Sequence, residues 1–330
     1  MSTVGSNVLT LADWAKRLDP DGKVPTIVEL LSQTNEMLED IEWVEGNLPT
    51  GHKTTVRSGL PEVAWRQLNY GVQPSKSRTV PVTDTTGMLE AYAEVDKDLA
   101  DLNGNTAEFR LSEDQAFLEA MNQQLQYQYI YGNIAVNPEK IMGFAPRFNS
   151  KSAQNGANII SAGGSGSTNT SIWLVVWGKN TVHGIFPKGS KAGLSHDDKG
   201  QVTLTDPNGG RYEGYRTHYQ WKPGLTVRDW RYVSRIADID VAALTKNAAT
   251  GADLNDLMVQ ALEKIPNLKA GKAAIYCNST IRAWWRRQLL NKANVHLSWD
   301  TVAGKKVLSF DEVPVRRVDQ ILNTESPVAA

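Results

Sequence analysis

Gly59-Leu-Pro-Glu-Val-Ala-Trp-Arg-Gln-Leu-Asn-Tyr-Gly71 lies between two strand-like runs, His52-Lys-Thr-Thr-Val-Arg57 and Lys76-Ser-Arg-Thr-Val-Pro-Val-Thr83. β-Branched residues recur in both runs, as they do in strands, and Gly and Pro punctuate the segment between them. Pro81 has no N–H to donate, so its run belongs at a sheet edge. The whole reads as a long hairpin with a polar, basic surface, carrying Lys53, Arg57, Arg66, Lys76 and Arg78. An element two strands wide is marginal alone and has no evident way to bury both faces within its own chain.

Working outward, the charge balance reverses on either side. Residues 50–87 hold two acids and five bases, residues 1–49 nine acids and three bases, and residues 88–115 eight acids and two bases. Residues 282–318 are basic again, with eight bases against three acids, although the net charge is only −1. Such blocks are either solvated faces or segments that meet opposite charge on a neighbouring molecule, where complementary fields select partner and register. The candidate contact residues are the five hairpin bases, with Glu36, Glu39 and Asp40 upstream and Glu94, Asp96 and Asp98 downstream.

Before the hairpin the chain reads as an arm. A short helix over Leu9–Leu18 is stopped by Asp19-Pro-Asp-Gly22, and a second follows Pro25 with Ile27, Leu30, Leu31, Thr34 and Leu38 at helical spacing. After the hairpin, Ser112-Glu-Asp-Gln115 has the form of a capping box opening a long helix. Phe117, Leu118, Met121, Leu125 and Tyr129 form its apolar face, Gly132 closes it, and Gln123, Gln124, Gln126 and Gln128 form the face expected to be exposed. Asn155 to Thr170 reads as a flexible Gly/Ser/Asn-rich joint. Strands are expected at Ile172–Trp177, Val182–Phe186, Val202–Thr205 and Tyr212–Trp221, the last turning through Lys222-Pro-Gly224 into a return strand from Thr226 to Ile236. A helix over Ala252–Ile265, a strand Ala273–Cys277, a helix Ser279–Leu290 and strands near Val295–Trp299, Val307–Phe310 and Val313–Val318 complete an α+β chain without regular βαβ alternation.

Composition excludes several classes. With 41% hydrophobic and 22% charged residues the chain is ordinary for a globular protein. Its longest apolar run, Ile172–Trp177, is far short of a membrane span, no secretory signal is visible, and the single Cys277 can form no intrachain disulfide. These features suit synthesis in a reducing cytoplasm. Gly184-Ile-Phe-Pro-Lys-Gly-Ser-Lys191 imitates a phosphate loop, but Lys191 is one place late and Pro187 removes a donor, so a turn between strands is the better reading. Gly163-Gly-Ser-Gly-Ser-Thr168 has Ser167 where a nucleophile elbow needs glycine. The five histidines, His52, His183, His196, His218 and His296, lack partners at metal-ligand spacing, and Ser195-His196-Asp197-Asp198 reads as a solvated turn. Arg282 and Arg286 share a helix face that suits solvent or nucleic acid equally. Among ten tryptophans, Trp173, Trp177, Trp221 and Trp230 could line a sugar-binding face, although aromatics on strands more often anchor a core or an interface. No cofactor is implied.

Several segments, taken together, resemble the major capsid proteins of tailed double-stranded DNA bacteriophages with the Hong Kong 97-type fold, in particular the short-tailed phages of the epsilon-fifteen type. The resemblance is carried by Gly59–Gly71, Pro74-Ser-Lys-Ser77, Met88-Leu-Glu-Ala-Tyr-Ala-Glu-Val-Asp-Lys-Asp-Leu99, Gly184–Leu194 and Thr226-Val-Arg-Asp-Trp-Arg-Tyr232. It implies an N-terminal arm over 1–49 and an extended E-loop hairpin over 50–88. A spine helix with part of the P-domain would fill 89–170, β-rich hairpins of the P/A body 171–245, and an A-domain-like part with the C-terminus 246–330. It further implies a non-enzymatic subunit that self-assembles into hexamers and pentamers of an icosahedral head. Scaffolding, portal and possibly decoration proteins would be its partners, packaged DNA would be met only non-specifically, and no membrane would be involved. The virion capsid would be its location, with assembly in the host bacterial cytoplasm. The alternatives are a Trp-rich carbohydrate-binding or tail-associated module and, further off, a hydrolase.

Overall fold

The computed structural model describes residues 36–102, 104–248, 251–289, 297–302 and 305–329, with only the backbone path for 297–302 and 305–307. The expected arm helices lie outside the described residues as far as Thr34, with Leu38 of the second falling in a short 3₁₀ turn over Glu36–Glu39, and Leu290 and His296 also lie outside. In chain order the strands and helices are β1 (Trp43–Glu45), β2 (Gly51–Gly59), β3 (Arg78–Thr85), β4 (Leu89–Asp96), α1 (Lys97–Asp101) and α2 (Thr106–Tyr131). They continue as α3 (Phe144–Arg147), β5 (Ile159–Ser161), β6 (Asn169–Trp177), β7 (Val182–Phe186), β8 (Leu194–Thr205), β9 (Arg211–Trp221), β10 (Gly224–Val227) and β11 (Val233–Asp240). The last are α4 (Leu254–Glu263), β12 (Lys272–Cys277), α5 (Ser279–Leu289), β13 (Leu297–Val302), β14 (Lys305–Phe310) and β15 (Val313–Arg317).

The chain divides into two compact units that interleave in sequence, so the five segments expected above do not each become one unit. The larger unit takes residues 35–87, 126–192 and 223–330. Its ten-stranded sheet runs β1-β7-β6-β12-β15-β14-β13, with β10 added to β7 and β11 and β5 added beside β6. β6 is buried at every position because it is central in the sheet, which is why its apolar run is continuous rather than alternating. Leu257, Met258 and Ala261 of α4 and Ile281 and Trp285 of α5 pack with Leu174, Val176 and Ile275 of the sheet. Asp253 starts α4 by accepting the N–H groups of Asn255 and Asp256. Gly184 has to be glycine here: a Cβ would stand 2.6 Å from Ile41 and 2.9 Å from Trp43, where β1 pairs parallel with β7.

In the smaller unit, formed by 88–125 and 193–222, β4, β9 and β8 make an antiparallel sheet. Ala93 and Tyr219 on its inner face meet Phe117, Leu118 and Met121 of α2, and Val95 and Tyr215 meet Leu99, Ala100 and Phe109. On the outer face Tyr92 stacks on His218 at 4.5 Å and Arg216 pairs with Glu94 at 2.6 Å.

Five expectations change. α2 starts at Thr106 rather than at a Ser112 box; Phe109 N–H already bonds the Asn105 carbonyl, and the Ser112 hydroxyl donates back to Phe109 O as in a helix interior. Gln126 is fully buried, not on an exposed face. The 155–170 joint is pinned: Ala162 and Gly164 donate to Ala237 and Asp238, and Ser161 and Thr168 bond the side chains of Asp238 and Asp240. Finally, β9 has no return strand after Gly224. β9 pairs with β8 and β4, whereas β10 pairs with β7 and β11 with β6 and β5. Ser195–Asp198, expected as a turn, lies within β8.

Candidate functional site

The hairpin is where the sequence placed it. β2 and β3 pair antiparallel from Gly51↔Thr85 to Arg57↔Thr79, and Pro81 lies opposite Thr55 on an edge strand. Its root is fastened to the larger unit. Asn47 uses both ends of its side chain amide on the Lys53 backbone, each at 2.7 Å, and Arg147 holds the buried Asp84 at 2.7 Å and the Leu225 carbonyl at 3.2 Å. Farther out the hairpin leaves the body: a groove of about 550 Å³ separates Thr55 and Arg57 from Asn180, Arg228 and Arg231.

From residue 60 to residue 80 every residue is exposed. Leu60, Val63, Trp65, Leu68 and Tyr70 are at least two-thirds uncovered, and Trp65 is as exposed as in an extended chain. The sequence reading stressed the basic surface of this hairpin and missed its apolar tip. The signal was present, because five large apolar residues fall within eleven positions without a strand or helix period. Covering such side chains is worth roughly 1.5–3 kcal/mol each before ordering costs, so a bare cluster of this kind marks a contact surface.

Lys53, Arg57, Arg66, Lys76 and Arg78 all point to solvent, and none of their side chains has an ion-pair or hydrogen-bond partner among the described residues. The acids are placed differently. Asp40 is buried and serves its own chain: it meets Lys272 at 2.7 Å and Arg316 at 3.1 Å and accepts the Tyr276 hydroxyl at 2.9 Å. Burial, with Asp40 beside it, raises the Tyr276 phenol well above its ordinary range. Glu36 accepts the Arg317 N–H, and Asp96 caps α1 through Asp98 and Leu99 N–H. Asp40 is thus committed inside its own chain through both oxygens, while Glu36 and Asp96 each use one carboxylate oxygen there. Glu94 is exposed beside Arg216, while Glu39 and Asp98 are exposed. Asp98, Asp101 and Glu108 are exposed where α1 leads to α2, and Leu102 and Leu111 there are half-uncovered.

The groups singled out for chemistry have other uses. Trp173 and Trp177 are fully buried, which removes them from a sugar-binding face. Gly184–Lys191 ends β7 and turns with Ser190 N–H bonded to Pro187 O. Burial pushes the Cys277 thiol up to about 12, so it stays protonated. Among the described residues no three His, Cys, Asp or Glu side chains converge on a metal position.

A committed core, a bare apolar and basic projection and an acidic, partly apolar corner define a structural protein that is completed by other molecules. The family model for the major capsid protein GP7 matches residues 19–329, and the chain belongs to that family. A chain in the near-atomic structure of bacteriophage Epsilon15 is 42% identical over the whole of both chains, with a TM-score of 0.78. The capsid of bacteriophage JBD30 covers 88% of this chain and 92% of its own at 10% identity and a TM-score of 0.50, which bears on fold alone. No curated protein sequence matches. The fold is thus the Hong Kong 97-like capsid fold, and the protein is a non-enzymatic structural subunit of an icosahedral phage head that assembles with copies of itself.

Proposed function

We propose that the hairpin of each subunit docks its tip on the α1–α2 corner of a second copy, joining subunits into the hexamers and pentamers of the head. The carrying observation is the bare tip around Trp65, flanked by five cations without a partner among the described residues. The corner complements it in both respects, with exposed Asp98, beside Asp101 and Glu108 whose carboxylates also meet Lys97, Thr106 and Asn105, for the cations, and Leu102 and Leu111 for the apolar side chains. Glu39 and Glu94 are further contacts for the bases. A weak contact repeated around a closed lattice yields a stable shell. The unit of 88–125 and 193–222 would be the peripheral domain and the sheet of the larger unit the axial one. Assembly would take place in the bacterial cytoplasm around scaffolding and portal proteins, with decoration proteins added outside and double-stranded DNA held non-specifically. The test is negative-stain microscopy of the purified protein beside a Trp65→Ala, Leu68→Ala variant. Rings or shells from the parent and dispersed subunits from the variant are expected; shells from both would refute docking through the tip.

A further inference from the structure

The root of the hairpin is built unlike the rest of the larger unit. His52 on β2 and His183 on β7 meet with ring centroids 5.6 Å apart at an interplanar angle of 78°. His183 is 1% exposed, and Thr226 of β10 lies directly across from it. Around this pair, four buried side-chain oxygens have no hydrogen-bond partner among the described residues: Thr54 Oγ1, Asp84 Oδ2, Thr85 Oγ1 and Thr226 Oγ1. Native interiors leave few polar atoms unmet, so their concentration here sets the joint apart. The Asn47 and Arg147 hydrogen bonds fasten the root at its flanks, while the contact between the two rings rests on shape and neutrality.

We propose that this root is an acid-sensitive seat: the hairpin stays docked on β7 while His52 and His183 are neutral, and protonation of the pair unseats it. The charges facing the pair leave little room for another proton. The charge of Arg228, which follows β10 and bonds Lys179 O and Asn180 Oδ1, acts on both rings, and the carboxylate beside His52, Asp84 of β3, is already engaged by Arg147 of α3. A second imidazolium at this ring spacing would be buried between cations without a counter-ion.

The sign follows from where protons bind more tightly. Burial, then His52 and Arg228, lower His183 to about 4, with the Gly178 backbone opposing, and burial and Arg228 lower His52, with Asp84 opposing. The unseated root, with solvated imidazoles, therefore binds protons that the seated root refuses. Seating is unaffected above about pH 6.5 and is lost progressively as pH falls toward 4, on the order of tenfold by pH 5.

This inference concerns the attachment of the hairpin to its own subunit and is tested on unassembled protein, so it stands or falls apart from docking between copies. Backbone hydrogen exchange is measured at pH 7 and pH 5 and corrected for the intrinsic chemical rate. Residues 51–56 and 82–85 are expected to open about tenfold more at pH 5, measured relative to β6 and β12, and His183→Gln should remove most of that rise. If His183→Gln does not fold, His52→Gln, at a half-buried position, supplies the same comparison. Equal relative protection at the two pH values, or an undiminished rise in the folded variants, would overturn the proposal.

Discussion

The acidic residues 1–49 and the basic hairpin 50–87 read in sequence as two sides of one contact, and the structure treats a stretch of each, 36–45 and 60–77, in opposite ways. Five of the nine acids before the hairpin, Glu36, Glu39, Asp40, Glu42 and Glu45, fall in the first stretch. There Asp40 is buried under Lys272 and Arg316, Glu36 takes the Arg317 N–H, and Glu45 takes the Gly189 N–H. Of the basic residues 282–318, Arg316 and Arg317 thus find acids within their own chain. The second stretch is exposed throughout, its apolar residues included, and Arg66 and Lys76 meet no acid among the described residues. A block of charge in a sequence shows that a partner is wanted; only the fold shows whether the chain itself supplies it.

The strongest way to break this contrast is at Asp40. Removing it as Asp40→Ala leaves Arg316 and the Tyr276 hydroxyl without their acceptor, although Lys272 can turn to water. A loss of roughly 2–4 kcal/mol is expected, read as a lower melting midpoint of the soluble subunit. No change in melting would mean that the acidic stretch is free for a neighbour after all.

Next comes Trp65→Ala, with the opposite signature. The side chain touches nothing in its own subunit, so stability should stay within about 0.5 kcal/mol. Assembly should fail or need a much higher concentration, because a buried aromatic anchor carries about 2 kcal/mol or more at a contact. Sedimentation of assembled against free subunits separates the two readouts. A melting loss without an assembly loss would return the tip to its own core.

Charge reversal is smaller per site. Each exposed pair contributes ~0–1 kcal/mol, so a single change should be hard to see. Arg57→Glu, Arg66→Glu and Arg78→Glu together should keep circular dichroism and melting near the parent while preventing particle formation, and added salt should slow early assembly of the parent. Normal particles from the triple variant would remove the electrostatic part and leave the apolar tip to act alone.

These effects follow the line between what the sequence made legible and what it did not. Hairpin ends, α4, α5 and β12 were legible within a few residues because each carries its signal locally, as in the edge Pro81 or the Asp253 cap. The fate of β9 and β10 was not legible. Lys222-Pro223-Gly224 looks like a hairpin turn, yet the strands on its two sides belong to different sheets, a choice set by partners far away in sequence. Likewise the glycine-rich 155–170 loop has the composition of a linker but is tied down by Asp238 and Asp240, which no local window contains. At the candidate site the cations were legible from type and spacing. The acids were not, because burial of Asp40 depends on Arg316, which lies 276 positions later.

The smallest expected effect sharpens the same point with two caps. Ser112 has the local pattern of a helix start, yet it lies inside α2 with its hydroxyl turned back to Phe109 O at 3.1 Å. Asp96 was expected to face a neighbour, yet its carboxylate accepts the Asp98 N–H at 2.8 Å and the Leu99 N–H at 3.4 Å. Ser112→Ala should change stability by less than about 0.5 kcal/mol in either direction, because a weak back-bond is exchanged for better helix propensity. Asp96→Ala should cost about 0.5–2 kcal/mol, the usual range for a lost N-cap, and leave assembly of the folded fraction unchanged. Thermal melts of the two soluble variants, followed by sedimentation of their assembly mixtures, measure both quantities. If Ser112→Ala proved the costlier, α2 would begin at the box after all. If Asp96→Ala melted normally but failed to assemble, its carboxylate would belong to the contact with the second copy, and the boundary between committed and free acids would move to include it.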